Sequence, residues 1–253
     1  MTKMLDVKNV MVMRAKKTLC SHFSLSLQRG DFVGLLGANG SGKTSLLHTL
    51  AGLMEPQEGE IIIENTPLAD ISRKQLARRM GLLLQEENYA LPIHVFDSIK
   101  CGGYAHKASI HDHSHITEIM TLLNLHEYRA RTLLQLSGGE QRRVSIARIL
   151  FQRPSIYLLD EPANHLDPYY QQLVMRKFQQ LCHGGAAVIM SGHNLSYMKR
   201  FCNRFILFLN DGSLRVCATD DLNEELIDGV YDGGYSATLF RHSSTNNSCT
   251  ETS

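Results

Sequence analysis

No apolar run in this 253-residue chain approaches the roughly 20 residues that a membrane-spanning helix needs. The most apolar stretches, near 155–160 and 185–190, are far shorter, so any role in a membrane process would act through a partner. Charge of one sign is lacking too. The 26 Lys+Arg and 25 Asp+Glu leave a net +1, which gives no general pull toward nucleic acid or acidic membranes; no nucleic-acid partner is expected. The six cysteines (Cys20, Cys101, Cys182, Cys202, Cys217, Cys249) form no C-x-x-C pair and no regular spacing. That argues against a disulfide framework and for reduced thiols in a cytosolic chain. Lys3, Asp6, Lys8 and Arg14 interrupt the apolar residues at the start, so no signal-peptide core is expected there.

What is present is an alternation of short apolar runs and helical spacings. Phe32–Leu36 reads as a buried strand, followed by a helical run from Lys43 to about Leu53. Further strand-like stretches lie at Glu60–Ile63, Gly81–Leu84, Ile156–Leu159, Ala186–Met190 and Phe205–Leu209. Most are continuous apolar runs rather than alternations, as in a sheet covered on both faces. With helical segments between them, the fold class is α/β with a largely parallel sheet. From Glu86 to Phe151 no convincing strand occurs, and the apolar spacing at Ile116–Leu125 and Val144–Leu150 is helical, which predicts a helical subdomain inserted into the sheet domain. Residues 241–253 are rich in Ser, Thr and Asn and are expected to be disordered.

The chemistry concentrates in two places. Gly37-Ala38-Asn39-Gly40-Ser41-Gly42-Lys43-Thr44 is a complete phosphate-binding loop between a strand and a helix. Its glycines let consecutive N–H groups point at phosphate oxygens, the helix adds its positive end, Lys43 reaches the β- and γ-phosphates, and Thr44 can ligate Mg²⁺. Ser45 continues the same surface. Asp160 ends a strand and Glu161 follows it. One carboxylate can anchor Mg²⁺ while the other polarises a water aimed at the γ-phosphate. An ordinary acidic turn before Pro162 is the plainer reading of that pair taken alone. His111-Asp112-His113-Ser114-His115 reads as a solvated loop rather than a metal site.

Between these two places stands Leu136-Ser137-Gly138-Gly139-Glu140-Gln141, which resembles the signature of ATP-binding cassette (ABC) ATPases. The match runs from about Leu5 to Val216. It implies a P-loop NTPase (RecA-like) core over about 1–88 and 152–220, an N-terminal antiparallel β portion and a helical subdomain over about 89–151, within one ATPase domain of 1–240. It also implies ATP and Mg²⁺ as ligands. Gln85 would be the Q-loop glutamine that senses Mg²⁺ and the γ-phosphate, Asp167 the D-loop aspartate at a dimer seam, and His193 the switch histidine on the γ-phosphate. Ser137, Gly138 and Gly139 would meet the ATP held by a second ATPase subunit, with a homodimer permitted because both half-sites are complete. The family usually stacks an aromatic residue on adenine; here Met13 and Arg14 stand at that place.

Ile71–Arg79, Leu91–Val95, Gly102-Gly103-Tyr104-Ala105-His106 and Asn164–Pro168 are similar to importer ATPases serving iron-siderophore, haem and cobalamin uptake. That resemblance implies an integral membrane permease as partner, a substrate-binding protein reached through it, and a peripheral place on the cytoplasmic face of the inner membrane. The permease groove would be walled by Glu86–His94, with Tyr89, Leu91 and Ile93 either lining it or packing into the subdomain core. A soluble ABC ATPase of iron–sulfur cluster assembly and an exporter ATPase remain the alternatives. Translation-type members carry two cassettes, and repair-type members insert coiled coils for which the Gln85–Ser137 interval has no room.

Overall fold

The structure, a computed structural model, describes residues 3–14, 17–87, 89–106 and 112–231; the tail 241–253 and His111 lie outside them. Two sheets share the chain. β1 (Lys3–Arg14) and β2 (Lys17–Gln28) form a hairpin, β3 (Phe32–Leu36) leaves it for the second sheet, and β4 (Glu58–Ile63) and β5 (Thr66–Pro67) return to it. The first sheet is antiparallel in the order β2-β1-β4-β5. The second is completed by β6 (Met80–Leu83), β7 (Ile156–Leu159), β8 (Ala187–Ser191), β9 (Arg204–Phe208) and β10 (Leu214–Ala218), in the order β10-β9-β3-β8-β7-β6. Five of its strands run parallel, and β10 returns antiparallel on β9 at one edge.

The continuous apolar runs follow from burial on both faces. Val33, Leu35, Ile156, Leu158, Ala187 and Ile189 pack with the antiparallel sheet and with α1 (Lys43–Leu50). Their neighbours Phe32, Leu36, Tyr157, Leu159, Val188 and Met190 join a second cluster with the helical elements. Successive side chains leave a strand on opposite sides, so a strand with both sides covered has no polar position to alternate with.

The remaining helices are α2 (Arg73–Arg79), α3 (Val95–Cys101), α4 (His113–Leu122), α5 (Gly138–Gln152), α6 (Pro168–His183), α7 (Leu195–Met198) and α8 (Glu224–Asp228). Between β6 and β7 the described residues form helices and turns, apart from one isolated bridge between His94 and Thr132. Local sequence sets the ends of the long helices. α5 starts at Ser137 with a reciprocal Ser137–Glu140 capping box and stops where Arg153 turns left-handed (φ 50°) before Pro154. α6 starts on Asp167, whose Oδ1 accepts the Tyr170 N–H at 3.0 Å, with Pro168 at its first position; these are preferred starting residues. α1 ends at Leu50 rather than near Leu53, because Gly52 takes φ +68° and Leu53 turns outward, 57% exposed. No helix among the described residues is long and apolar enough to cross a membrane.

Candidate active site

The parallel strands deliver their C-terminal ends to one edge, and the polar residues sit on those ends. β3 runs into the loop 37–42, β6 leads to Gln85, β7 to Asp160 and Glu161, and β8 to Ser191 and His193. Crevices outside the carboxyl ends of such strands are where ligands bind in open α/β sheets.

The loop's shape needs its glycines. Gly42 caps α1 with φ +115°, and a Cβ there would lie 3.0 Å from Leu19 Cβ; a Cβ on Gly37 would lie 2.5 Å from Ser41 Oγ. Lys43, 7% exposed, donates from Nζ to Gly37 O at 2.8 Å and Ala38 O at 3.0 Å. Burial lowers its pKa, and the nearby carboxylates of Glu161 and Asp160 oppose that shift without cancelling it.

A chain of hydrogen bonds joins that loop to the strands. Thr44 Oγ1 donates to Asp160 Oδ2 at 2.6 Å, and Ser191 Oγ donates to Asp160 Oδ1 at 2.5 Å while accepting the Glu161 N–H at 2.9 Å. Glu161 is 6% exposed. Its Oε2 accepts from Gln85 Nε2 at 3.1 Å and from Asn164 Nδ2, and its Oε1 pairs with His193 Nε2. Its backbone is left-handed at φ 47°, a conformation that costs a non-glycine residue about 1–2 kcal/mol and persists where the surroundings hold it.

A cleft of about 390 Å³ is lined by Asn39, Gly40, Gly42, Lys43, Thr44, Ser45, Gln85, Glu161 and His193, together with Arg14 and Leu19. The structure therefore brings together the phosphate loop, Gln85, Glu161 and His193. Arg14 lines this cleft and Met13 does not; successive strand residues face opposite ways, and the Met13 N–H is bonded to Gln57 Oε1. Ser137, Gly138, Gly139 and Asp167 are not among the residues lining it. They sit at the starts of α5 and α6, where Gly139 lets α5 approach the His165 carbonyl: a Cβ would lie 2.7 Å from that oxygen.

Beside Gln85, a smaller cavity of about 200 Å³ is bounded by Glu86, Glu87, Tyr89, Gly138, Gln141, Arg142, Ser145 and His165. Leu91 is 66% and Ile93 39% exposed, whereas Tyr89 packs against the core and its hydroxyl donates to Glu87 at 2.5 Å. Leu91 and Ile93 thus face outward, while Tyr89 is half-buried, packing against the core as it bounds this cavity. Among the described residues no group of three or more His, Cys, Asp or Glu could hold a metal. The loop expected over 111–115 is corrected from Asp112 onward: His113–His115 form the first turn of α4 and Asp112 caps it, its side chain accepting from Ser114 Oγ and the His115 N–H.

In the sequence Ser191 and Asn164 stand out only as neighbours of His193 and Asp167, and no motif marks the Glu87–Arg148 pair or Arg142. Arg148 Nη2 lies 2.5 and 2.6 Å from the two Glu87 oxygens. The available signal is a basic residue among apolar ones on a helix, as at Arg148 within the Val144–Leu150 stretch and Arg142 two residues before it.

Comparison with known proteins agrees with this geometry. The ABC transporter family model matches residues 20–164. The hemin import ATP-binding protein of Pseudomonas putida is 34% identical over 224 residues, covering 86% of this chain and 88% of the relative. The thiamine import ATP-binding protein of a Jannaschia species is 35% identical over 214 residues, covering 83% and 91%. Among solved structures, an ATP-binding cassette captured as a dimer in a post-hydrolysis state with ADP and Pi superposes with a TM-score of 0.76 at 26% identity, covering 85% of this chain and 99% of that one. A family match over more than half of the chain, and relatives a third identical over most of it, are of one kind with the phosphate loop and acidic strand end just described: the chain belongs to the ABC transporter family and is one of its ATP-binding, ATP-hydrolysing subunits.

Proposed function

We propose that the chain is the ATPase subunit of an importer, in which two copies close around two MgATP and hydrolysis drives a membrane permease from its cytoplasmic face. The observation that carries this reading is the placement of Glu161. Its buried carboxylate meets Gln85, Asn164 and His193, one residue beyond the Asp160 that is bonded to Thr44 of the phosphate loop.

In this reading residues 37–45 bind the triphosphate. The loop N–H groups and the start of α1 face phosphate oxygens, and Lys43 exchanges its two loop carbonyls for β- and γ-phosphate oxygens. Glu161 acts as general base, taking a proton from the water that attacks the γ-phosphorus as the bond to the ADP oxygen breaks. His193 donates to the γ-phosphate and helps hold Glu161. Thr44 Oγ1, the Asp160 carboxylate and the Gln85 side-chain oxygen make an all-oxygen donor set, which suits Mg²⁺. Thr44 and Asp160 already stand 2.6 Å apart. Such an ion neutralises charge on the phosphates.

Ser137, Gly138, Gly139 and Asp167 lie outside their own cleft, which supports their service to the ATP of a second copy. ATP then acts as a ligand of the closed pair while its γ-phosphate persists. The outward Leu91 and Ile93 support a permease contact next to Gln85. An iron-siderophore, haem or cobalamin cargo is supported by the hemin import relative and by the Gly102–His106 stretch.

Affinity purification from detergent-solubilised membranes tests the partner. A stoichiometric multi-span permease is the expected result; recovery with soluble scaffold proteins alone would contradict the transport role and keep the ATPase chemistry. Ser137→Arg should abolish turnover while the monomer still binds nucleotide, and loss of monomer binding would contradict action across the interface.

A further inference from the structure

Arg142 lies in the second turn of α5, 5% exposed, and its donors go to main-chain oxygens of two separate segments. Nη1 donates to Leu84 O at 2.5 Å and Gln85 O at 3.4 Å; Nη2 donates to Asp160 O and Glu161 O, each at 2.7 Å; Nε donates to Pro162 O at 3.4 Å. A guanidinium offers five N–H donors in a rigid planar fork, and these five contacts use all of them on five different carbonyls. None of the five is a carboxylate oxygen. Burying a cation is costly, so an apolar side chain of the same length would fill this space at lower cost. What an apolar side chain could not do is hold two loops in one plane.

The two loops carry Gln85 and Glu161. The left-handed Glu161 is gripped on both sides: its N–H goes to Ser191 Oγ, and its C=O accepts from Arg142 at 2.7 Å and from the Asn164 N–H at 3.1 Å. Gln85, whose own carbonyl is on Arg142, returns from Nε2 to Glu161 Oε2 at 3.1 Å. Arg142 stands one helical turn from Ser137–Gly139 at the head of the same helix. A rotation of α5 therefore pulls directly on the peptides that aim Glu161 and Gln85.

We propose that Arg142 is a positioning residue for hydrolysis, fixing the Glu161 and Gln85 peptides to α5 so that the carboxylate is aimed only when α5 is correctly seated. It acts through Glu161, and so rests on Glu161 being the base.

The test is a double-variant cycle. Arg142→Met, Arg142→Lys and Glu161→Gln are compared singly and combined, by single-turnover MgATP hydrolysis and by the Kd of a fluorescent ATP analogue. Arg142→Met is expected to lower the hydrolysis rate by about 30- to 100-fold, the scale of an ångström-sized misplacement, with little change in Kd. Arg142→Lys keeps the charge but reaches fewer carbonyls, and should retain an intermediate rate. Added to Glu161→Gln, neither change should slow the residual rate further. Near-normal turnover in Glu161→Gln alone would remove the base and with it this role. A stalled Glu161→Gln beside a fully active Arg142→Met, or losses that multiply in the double variant, would overturn the positioning role and leave the base intact. Should Arg142→Met not fold, the same cycle with Arg142→Lys decides the question.

Discussion

Replacing Ser191 by alanine removes one oxygen and disturbs two bonds at the centre of the site. Ser191 Oγ donates to Asp160 Oδ1 at 2.5 Å and accepts the Glu161 N–H at 2.9 Å. At 1% exposure, no bulk water stands by to replace it. A hydrogen bond to a charged group contributes about 1.5–3 kcal/mol, and a buried N–H left without a partner costs about 1–3 kcal/mol. Asp160 keeps its bond from Thr44, so its loss falls at the low end, about 1.5 kcal/mol, and with a similar cost for the Glu161 N–H the sum is about 3 kcal/mol. In a chain of this size each kcal/mol moves the midpoint by about 2–4 °C, so thermal unfolding should fall by about 6–12 °C. Circular dichroism melts of the two proteins read this directly. Hydrolysis at 25 °C should fall as well, because the left-handed Glu161 loses the one hydrogen bond on its N–H and keeps only those on its carbonyl. A melting temperature within about 2 °C of the parent would refute the claim that this hydroxyl joins the two acidic residues.

Two further predictions concern the edges of the site. Burial pushes the Glu87 carboxyl pKa up, but Arg148 and the hydroxyls of Tyr89 and Ser145 outweigh it and hold it below the usual carboxylate range. Its folded pKa is thus depressed, so its stabilising contribution is complete above the unfolded value of about 4.3 and is lost as pH falls through the folded pKa. Chemical denaturation should show parent and Glu87→Gln differing most near neutrality and converging in acid; a gap independent of pH would contradict the ion pair. Arg14 lines the nucleotide cleft and Met13 does not. Arg14→Ala should therefore raise KM for ATP by about fivefold, the worth of a guanidinium over a ring, with kcat nearly unchanged. An unaltered KM in steady-state kinetics would remove Arg14 from the site.

The parts of this molecule legible in its sequence are those whose chemistry is local. The phosphate loop is contiguous and its glycines are demanded by backbone shape, while Asp160 and Glu161 follow directly on a strand that its apolar run marks. Ile156–Leu159 matched to the residue because both of its faces are buried. β1 and β2 are expected only as an antiparallel portion without bounds, because charged and exposed residues interrupt β1 and its pairing with β2 is irregular between Val7 and Val10. The residues missed are those whose partners are distant. Arg142 reaches carbonyls 58 residues away at Leu84, and Arg148 reaches Glu87 across 61 residues. Nothing in either helical turn announces which carbonyl or carboxylate the fold will bring to it.

The most direct measurement is light scattering of Glu161→Gln with and without MgATP, alongside its phosphate release. This variant is expected to bind MgATP, release almost no phosphate and accumulate as a dimer that disperses when ATP is withdrawn. Near-normal phosphate release, or a protein that stays monomeric with ATP bound, would contradict the proposed mechanism.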